Sequence, residues 1–228
     1  AHDATDRIVS VGTGFAIAHD LPGYEREIFL VTNKHVTMAC QSATVYLHTL
    51  KDEQPDFGHP YYLKITDFQQ NVFGHPTPDV DIAIVPMGWW LDLIGKDGIR
   101  TYLTALTSDI IISADEAATM DAVESVLFVG YPNGLYDTVN FVPLFRRGTT
   151  ASPYQLNYGG EPVFVIDASV FGGSSGSPVF RHLPTMDGRA LAKLELLGVV
   201  ASVFYRTEEG RIELRPAPTG LEPVSLSR

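Results

Sequence analysis

Short apolar runs separated by turn-forming residues recur along almost the whole sequence, and this pattern constrains the fold more than any other feature. Val, Ile, Phe and Tyr dominate the runs, whereas Gly, Pro, Asn and Asp lie between them. β-Branched and aromatic residues favour strands, and residues of the second kind are typical of turns. The spacing therefore predicts an all-β fold, a sandwich or a barrel. The predicted strands are Gly14–Ala18, Ile28–Thr32, Ala43–Leu47, Tyr61–Asp67, Ile82–Pro86, Ser125–Tyr131, Pro143–Thr149, Val163–Asp167, Ser177–Arg181, Leu194–Phe204 and Ile212–Arg215.

Few segments carry a helical pattern. Val36–Gln41 is predicted to form a single turn after a strand, and Trp89–Gly98 is ambiguous. Ser113–Thr119 begins with a candidate N-cap serine and has Glu116 three residues later, as in a capping box. The stretch from Gly95 to Asp121 divides two β-rich halves, so we expect the chain to cross there from one half to the other.

The composition argues against some classes of partner. The chain has 228 residues, of which 45% are hydrophobic, and its formal net charge is −11. Binding to nucleic acid phosphates needs an excess of Lys and Arg, and an anionic membrane surface makes the same demand, so we expect neither partner. No apolar run approaches the roughly 20 residues that span a bilayer, so membrane insertion is not expected.

Cysteine and histidine usage bears on redox compartment and metals. Cys40 is the single cysteine, so no intramolecular disulfide can form. Together with the lack of a recognisable signal peptide, this favours a cytoplasmic location and leaves a periplasmic one open. The histidines show no paired spacing of the kind that zinc ligands have, so no metal is expected.

Three segments hold residues of catalytic type at the ends of predicted strands. In FLVTNKHVTMAC, His35 follows the strand, and a histidine held rigidly there suits a general base. In PDVDIAIVPM, Asp81 directly precedes an apolar strand, where its carboxylate can accept a hydrogen bond from an imidazole. In FGGSSGSPVF, glycines allow torsions that turn two N–H groups toward one point, as an oxyanion requires. Taken singly, each segment has a plain alternative: a strand-end histidine, a loop-end aspartate and a Gly/Ser hairpin.

Taken together and in this order, the segments resemble the trypsin-like (chymotrypsin-fold) serine proteases, and most of all the bacterial HtrA/Deg protease domain. TNKHV resembles the T-N-x-H-V segment of the catalytic histidine, and DVDIAIV resembles the D-[IL]-A segment of the triad aspartate. DASVFGGSSGSPVF resembles T-D-A-x-x-x-x-G-N-S-G-G-P, and SVLFVGYPNG resembles V-x-A-I-G-N-P-x-G. The resemblance covers about residues 11 to 205.

The resemblance implies two six-stranded antiparallel β-barrels with few short helices. Residues 1–100 would form the N-terminal barrel, which carries His35 and Asp81. Residues 101–210 would form the C-terminal barrel, which carries Ser175. The Pro-containing residues 211–228 would be a tail or a linker.

The resemblance also assigns roles within the serine-rich loop. Its register makes Ser175 the nucleophile, places Ser174 in the variable position before it, and puts Ser177 where the family has its second glycine. His35 would take the proton of Ser175, and Asp81 would orient the imidazole. The N–H groups of Gly173 and Ser175 would form the oxyanion hole, and no cofactor is required.

The same resemblance predicts where substrate binds. The pocket for the residue before the scissile bond is expected at Ser169, Val170 and Phe171 and, on a later strand, at Ala201 and Val203. Ser169 stands where trypsin-type members have an aspartate, and Val203 is expected to narrow the entrance. These features predict a preference for small or medium aliphatic residues and rejection of Lys and Arg. The expected partner is a protein or peptide substrate, while an oligomer or a regulatory partner stays open.

Two other hypotheses remain beside an active serine endopeptidase. One is a binding module with the protease fold and a silenced triad. The other is a β-rich interaction domain in which the three motifs occur by chance. Covalent labelling that depends on Ser175 separates the first hypothesis from the other two, because it requires an activated serine.

Overall fold

Strands dominate the computed structural model, which describes residues 1–23, 26–38, 40–133, 135–183 and 193–203. The all-β prediction is confirmed. The predicted strand Ile212–Arg215 and the predicted tail 211–228 lie outside the described residues. The strands are β1 (Phe15–Asp20), β2 (Arg26–Thr32), β3 (Ala43–Lys51), β4 (Gln54–Ile65), β5 (Phe73–Gly74), β6 (Ala83–Pro86), β7 (Thr101–Tyr102), β8 (Leu106–Thr107), β9 (Ser125–Gly130), β10 (Leu144–Thr150), β11 (Ile166–Asp167), β12 (Pro178–Leu183) and β13 (Lys193–Val199).

The first eight strands form two open sheets. One sheet has the order β5-β6-β2-β1-β8 and the other the order β4-β3-β7. Their buried apolar side chains form one core cluster, which includes Leu47, Ile65, Val85 and Met87. Strand β2 is central in its sheet, so the residues that follow it leave from a well-packed element.

The last five strands form a third open sheet, with the order β11-β10-β9-β12-β13. A second core cluster lies on this sheet and includes the fully buried Phe128. Of the predicted strand Val163–Asp167, only the last two residues pair as a strand. Val165 instead bonds to Ser152 Oγ and to the N–H of Ala151, so its backbone is satisfied outside the ladder.

The α-helices among the described residues are short: α1 (Lys34–Thr37), α2 (Phe68–Asn71), α3 (Gly88–Lys96) and α4 (Ala114–Ala118). The capping box predicted for α4 is present, because Ser113 Oγ accepts from Glu116 N–H while the Glu116 carboxylate accepts from Ser113 N–H. The ambiguous stretch around Trp89 is helical. The turn predicted to begin at Val36 begins at Lys34.

Two short strands beyond residue 100 pair with strands from the first hundred residues. Strand β7 pairs with β3, and β8 runs parallel to β1. The chain therefore completes both sheets of the first group after position 100, at which the sequence predicts a domain boundary. That boundary stays a prediction.

Candidate active site

Strand pairing brings His35 and Asp81 to the same end of one sheet. Strands β2 and β6 are antiparallel neighbours, with Thr32 opposite Ala83. His35 lies in the helical turn that follows β2, and Asp81 lies just before β6. Because the strands run in opposite directions, the residue after one and the residue before the other must meet.

The carboxylate of Asp81 makes two hydrogen bonds to His35. One oxygen lies 2.5 Å from the ring Nδ1. The other accepts from the His35 backbone N–H at 3.1 Å. Bonding both the ring and the backbone of one residue restrains the imidazole and leaves Nε2 as the ring nitrogen that faces away from the carboxylate.

Asn33 stabilises the position of Asp81 in the His35–Asp81 pair. Its side chain is fully buried, and its amide donates to the Asp81 carbonyl oxygen at 2.7 Å. A buried polar side chain with such a bond fixes the backbone that carries the carboxylate. Asn33 belongs to the TNKHV motif, but the motif does not predict this role. A polar residue between an apolar strand and His35 was the available signal.

The loop around Ser175 depends on two glycines with positive φ. Gly173 has φ of +83° and Gly176 has φ of +87°. Ser174 N–H donates to the Phe171 carbonyl at 3.1 Å, which closes a four-residue turn with Gly173 at its third position. A positive φ there is typical of a type II turn and favours glycine.

The N–H groups of this loop divide into two sets. Those of Ser174, Gly176 and Ser177 donate to backbone carbonyls. Those of Gly173 and Ser175 have no hydrogen-bond acceptor within the described residues. These are the two donors that the sequence predicts for an oxyanion hole, which stays a prediction.

Asn133 fixes the direction of one of these donors. Its backbone N–H donates to the Gly172 carbonyl oxygen at 2.8 Å. In a trans peptide the carbonyl and the following N–H point in opposite directions. The Gly173 N–H therefore points away from Asn133. A Cβ at position 173 would lie 2.6 Å from Asn133 Oδ1, so this close approach also requires glycine.

Thr13 connects the serine loop to the strand that leads to His35. Its backbone N–H donates to the Ser175 carbonyl at 2.7 Å, and its hydroxyl donates to the Gly173 carbonyl at 3.0 Å. Its own carbonyl accepts from Thr32 Oγ1 at 2.8 Å. Since Thr32 is three residues before His35, this chain of bonds holds the loop beside the histidine.

Gly12 shows how closely the two sides approach. A Cβ at this position would lie 2.7 Å from Val36 Cγ2 and 3.1 Å from the Ser175 carbonyl oxygen. No hydrogen bond joins the Ser175 hydroxyl to His35 among the residues that the structure describes. Such bonds are often long in the absence of substrate and shorten when it binds.

The two serines beside Ser175 are buried, and Ser175 is less so. Ser174 and Ser177 both have zero exposure. Ser177 Oγ has no hydrogen-bond partner in the described part of the chain. It fits because residue 130 is glycine: a Cβ there would lie 2.0 Å from Ser177 Oγ.

A cavity of about 670 Å³ reaches Asp81, whereas His35 and Ser175 are not among the residues that line it. Val170, Ala201 and Val203 line it, as does Asp81. The other two predicted pocket residues, Ser169 and Phe171, do not line it and are exposed. The structure thus brings three of the five predicted pocket residues to one cavity that reaches Asp81.

The described residues contain no cluster of three His, Cys, Asp or Glu side chains that could hold a metal ion. In the described part of the chain, each helix is too short or too polar to cross a bilayer.

Comparison with known proteins gives one family. The model of the family described as the trypsin-like peptidase domain matches residues 12–184. This span includes His35, Asp81 and Ser175 and the strands β1 to β12. No curated protein matches the chain significantly.

Proposed function

Because the chain belongs to the family of trypsin-like peptidase domains, we propose that it is a serine endopeptidase whose triad is His35, Asp81 and Ser175. Its all-β fold is consistent with the chymotrypsin-like double barrel, with sheets that are open over the described residues. The observation that carries the proposal is that the Asp81 carboxylate accepts hydrogen bonds from both the ring Nδ1 and the backbone N–H of His35.

In the proposed acylation step, His35 Nε2 removes the proton from the Ser175 hydroxyl as the oxygen attacks the scissile carbonyl carbon. Asp81 keeps the other ring nitrogen protonated and stabilises the imidazolium that forms. His35 then gives the proton to the leaving amine as the C–N bond breaks. In deacylation, His35 removes a proton from a water molecule as the water attacks the acyl-enzyme, and the proton then returns to Ser175 as the carboxylic acid product leaves.

The oxyanion of each tetrahedral intermediate would bind the N–H groups of Gly173 and Ser175. Donors held in place before the reaction stabilise developing charge without reorganising, and loss of one such donor costs about 10²–10³ in kcat in proteases. The orientation of the Gly172–Gly173 peptide by Asn133 supports this assignment.

We also propose that residues 1–100 and 101–210 act as the two halves of the catalytic unit, with substrate bound between them. The cavity lined by Asp81, Val170, Ala201 and Val203 supports this location for a peptide substrate. Within the family, the TNKHV and YPNG segments favour a relation to the HtrA/Deg branch.

Labelling with a fluorophosphonate probe tests the function. The wild-type protein is expected to react covalently, because the probe requires a serine activated by a base. Ser175→Ala and His35→Ala should abolish the labelling, whereas Ser174→Ala should keep it. A folded wild-type protein that neither reacts nor cleaves any member of a mixed peptide library would contradict an active endopeptidase and favour the binding module with a silenced triad.

A further inference from the structure

Arg146 occupies a position where a charged side chain is unexpected. It lies on β10 directly opposite Phe128 of β9, and opposed residues of an antiparallel pair point to the same face. Phe128 is fully buried in the second core cluster. Arg146 therefore points to the core side of the sheet, whereas its neighbour Arg147 points to the other face and is exposed.

The guanidinium of Arg146 is only partly satisfied. Nη1 donates to the Ser169 carbonyl at 3.3 Å, and the guanidinium carbon lies 4.4 Å from the centre of the Phe128 ring. Nε and Nη2 are buried without a hydrogen-bond partner, and no carboxylate among the described residues pairs with the side chain. Burial lowers the pKa of Arg146. Leaving a buried cation unpaired is costly, so a site of this kind favours an anion.

This cation lies directly behind one wall of the cavity. Its partner Ser169 stands between Ala168 and Val170, which both line the cavity. Val179, which pairs with Phe128 from the other side, lines it as well. Arg146 itself does not line the cavity, and residues 168–170 lie between its guanidinium and the cavity. Two of these residues, Ser169 and Val170, belong to the stretch that the sequence predicts as the pocket for the residue before the scissile bond.

On the basis of the proposed peptidase function, we propose that Arg146 is a specificity-determining residue and that the enzyme cleaves after acidic residues, with Glu favoured over uncharged side chains. The carboxylate of the substrate enters past Val170 and pairs with the guanidinium, whose planar fork matches two carboxylate oxygens.

The charges that line the cavity limit where an acidic side chain can bind. Asp79, Asp81 and Asp167 also line it, and each repels a carboxylate. The proposal therefore places an acidic side chain at the part of the cavity formed by Ala168 and Val170, which is next to Arg146. A cationic side chain is disfavoured there, which agrees with the predicted rejection of Lys and Arg. The predicted preference for small aliphatic residues did not include Arg146, and we replace it with an acidic preference.

The experiment uses peptide substrates that differ only in the residue before the scissile bond. Glu and Gln form the decisive pair, because they have nearly the same shape and differ in charge. We expect wild-type kcat/KM to be about 10- to 100-fold higher for Glu than for Gln, as for a charge-assisted hydrogen bond. Arg146→Met should bring the ratio close to one while keeping fluorophosphonate labelling of Ser175. Arg147→Met is the matched control and should keep the wild-type ratio.

A purely structural role for Arg146 predicts a different result. If the side chain only holds the Ser169 carbonyl, Arg146→Met will lower the melting temperature and reduce cleavage of all substrates alike, which overturns the proposal. A wild-type kcat/KM for the Glu substrate that is equal to or lower than that for the Gln substrate also overturns the proposal. If Ser175 is still labelled by the fluorophosphonate, either of these two results overturns the role of Arg146 and leaves the proposed peptidase function unaffected.

If no turnover is detected, peptide binding tests the acidic preference attributed to Arg146. Peptides that end in Glu or Gln, as cleavage products would, can be titrated into Ser175→Ala. Tighter binding of the Glu peptide by about tenfold, lost in Ser175→Ala/Arg146→Met, supports the acidic pocket even if the peptidase proposal fails. Equal binding of the two peptides overturns it.

Discussion

The hydroxyl of Thr13 donates a hydrogen bond of 3.0 Å to the carbonyl oxygen of Gly173, which lies 160 residues further along the chain. The same hydroxyl accepts from the backbone N–H of Tyr131 at 2.9 Å. Thr13 is buried, so both bonds are made out of contact with water. One side chain near the start of the chain thus orders the loop proposed to hold the oxyanion.

Removing this hydroxyl should impair catalysis more than substrate binding. Thr13→Val keeps the shape but leaves the Gly173 carbonyl and the Tyr131 N–H without their partner, at a cost of about 1–3 kcal/mol each. We expect kcat to fall by about tenfold or more, with little change in KM. Thr13→Ser keeps the hydroxyl and should stay near wild type. Steady-state kinetics on one peptide substrate measure both. A loss of kcat in Thr13→Ser as large as that in Thr13→Val would contradict the assignment of the effect to the hydrogen bonds of the hydroxyl.

Asp81→Asn should preserve the fold and lower turnover strongly. The amide can no longer hold the ring of His35 in the required tautomer, and in triad proteases such a change lowers kcat by about 10⁴-fold. Asp79→Asn is the control, because Asp79 makes no hydrogen bond or ion pair with His35 among the described residues. Circular dichroism and kcat measured on the three proteins test this. Equal losses from the two substitutions would mean that the carboxylate is misassigned.

Replacing the three loop serines one at a time should separate their roles. Ser175→Ala is expected to abolish peptidase activity and labelling without loss of the fold. Ser174→Ala and Ser177→Ala should keep much of the activity, because both side chains are buried and point away from solvent. An inactive Ser174→Ala together with an active Ser175→Ala would show that the register of the loop is wrong.

Gly130 and Ser177 should depend on each other for stability. The Cβ of Gly130→Ala would lie 2.0 Å from Ser177 Oγ and 2.9 Å from Thr13 Oγ1. Overpacking of this kind costs about 1–3 kcal/mol, so the melting temperature should fall. Ser177→Gly in the Gly130→Ala background removes the closer contact and should restore part of the loss. Calorimetry on the single and double variants measures this coupling, and strict additivity of the two changes would contradict it.

Local sequence patterns were sufficient to predict those elements whose conformation depends mainly on neighbouring residues. The apolar run before His35 predicted β2, and the capping pattern at Ser113 and Glu116 predicted the start of α4. The Gly/Ser run predicted a loop whose glycines adopt torsions that other residues cannot, and the structure has positive φ at positions 173 and 176. Predictions were poorer where an apolar run did not join a ladder. Val163–Asp167 is such a case, since only two of its residues pair.

The sequence by itself determined the strand content, because apolar periodicity is a property of adjacent residues. It also sets the order of His35, Asp81 and Ser175, while the assignment of Ser175 as the nucleophile follows from the resemblance to the trypsin-like family and stays a prediction. Only the tertiary structure decided how these residues are held. The bonds from Thr13 to Gly173, from Asn33 to Asp81 and from Asn133 to Gly172 join segments far apart in the chain. The approach of Arg146 to Ser169 is of the same kind, and no local pattern marks it. Such contacts depend on which strands pair and which faces pack together, and those outcomes follow from burial of the whole core and not from any short stretch of sequence.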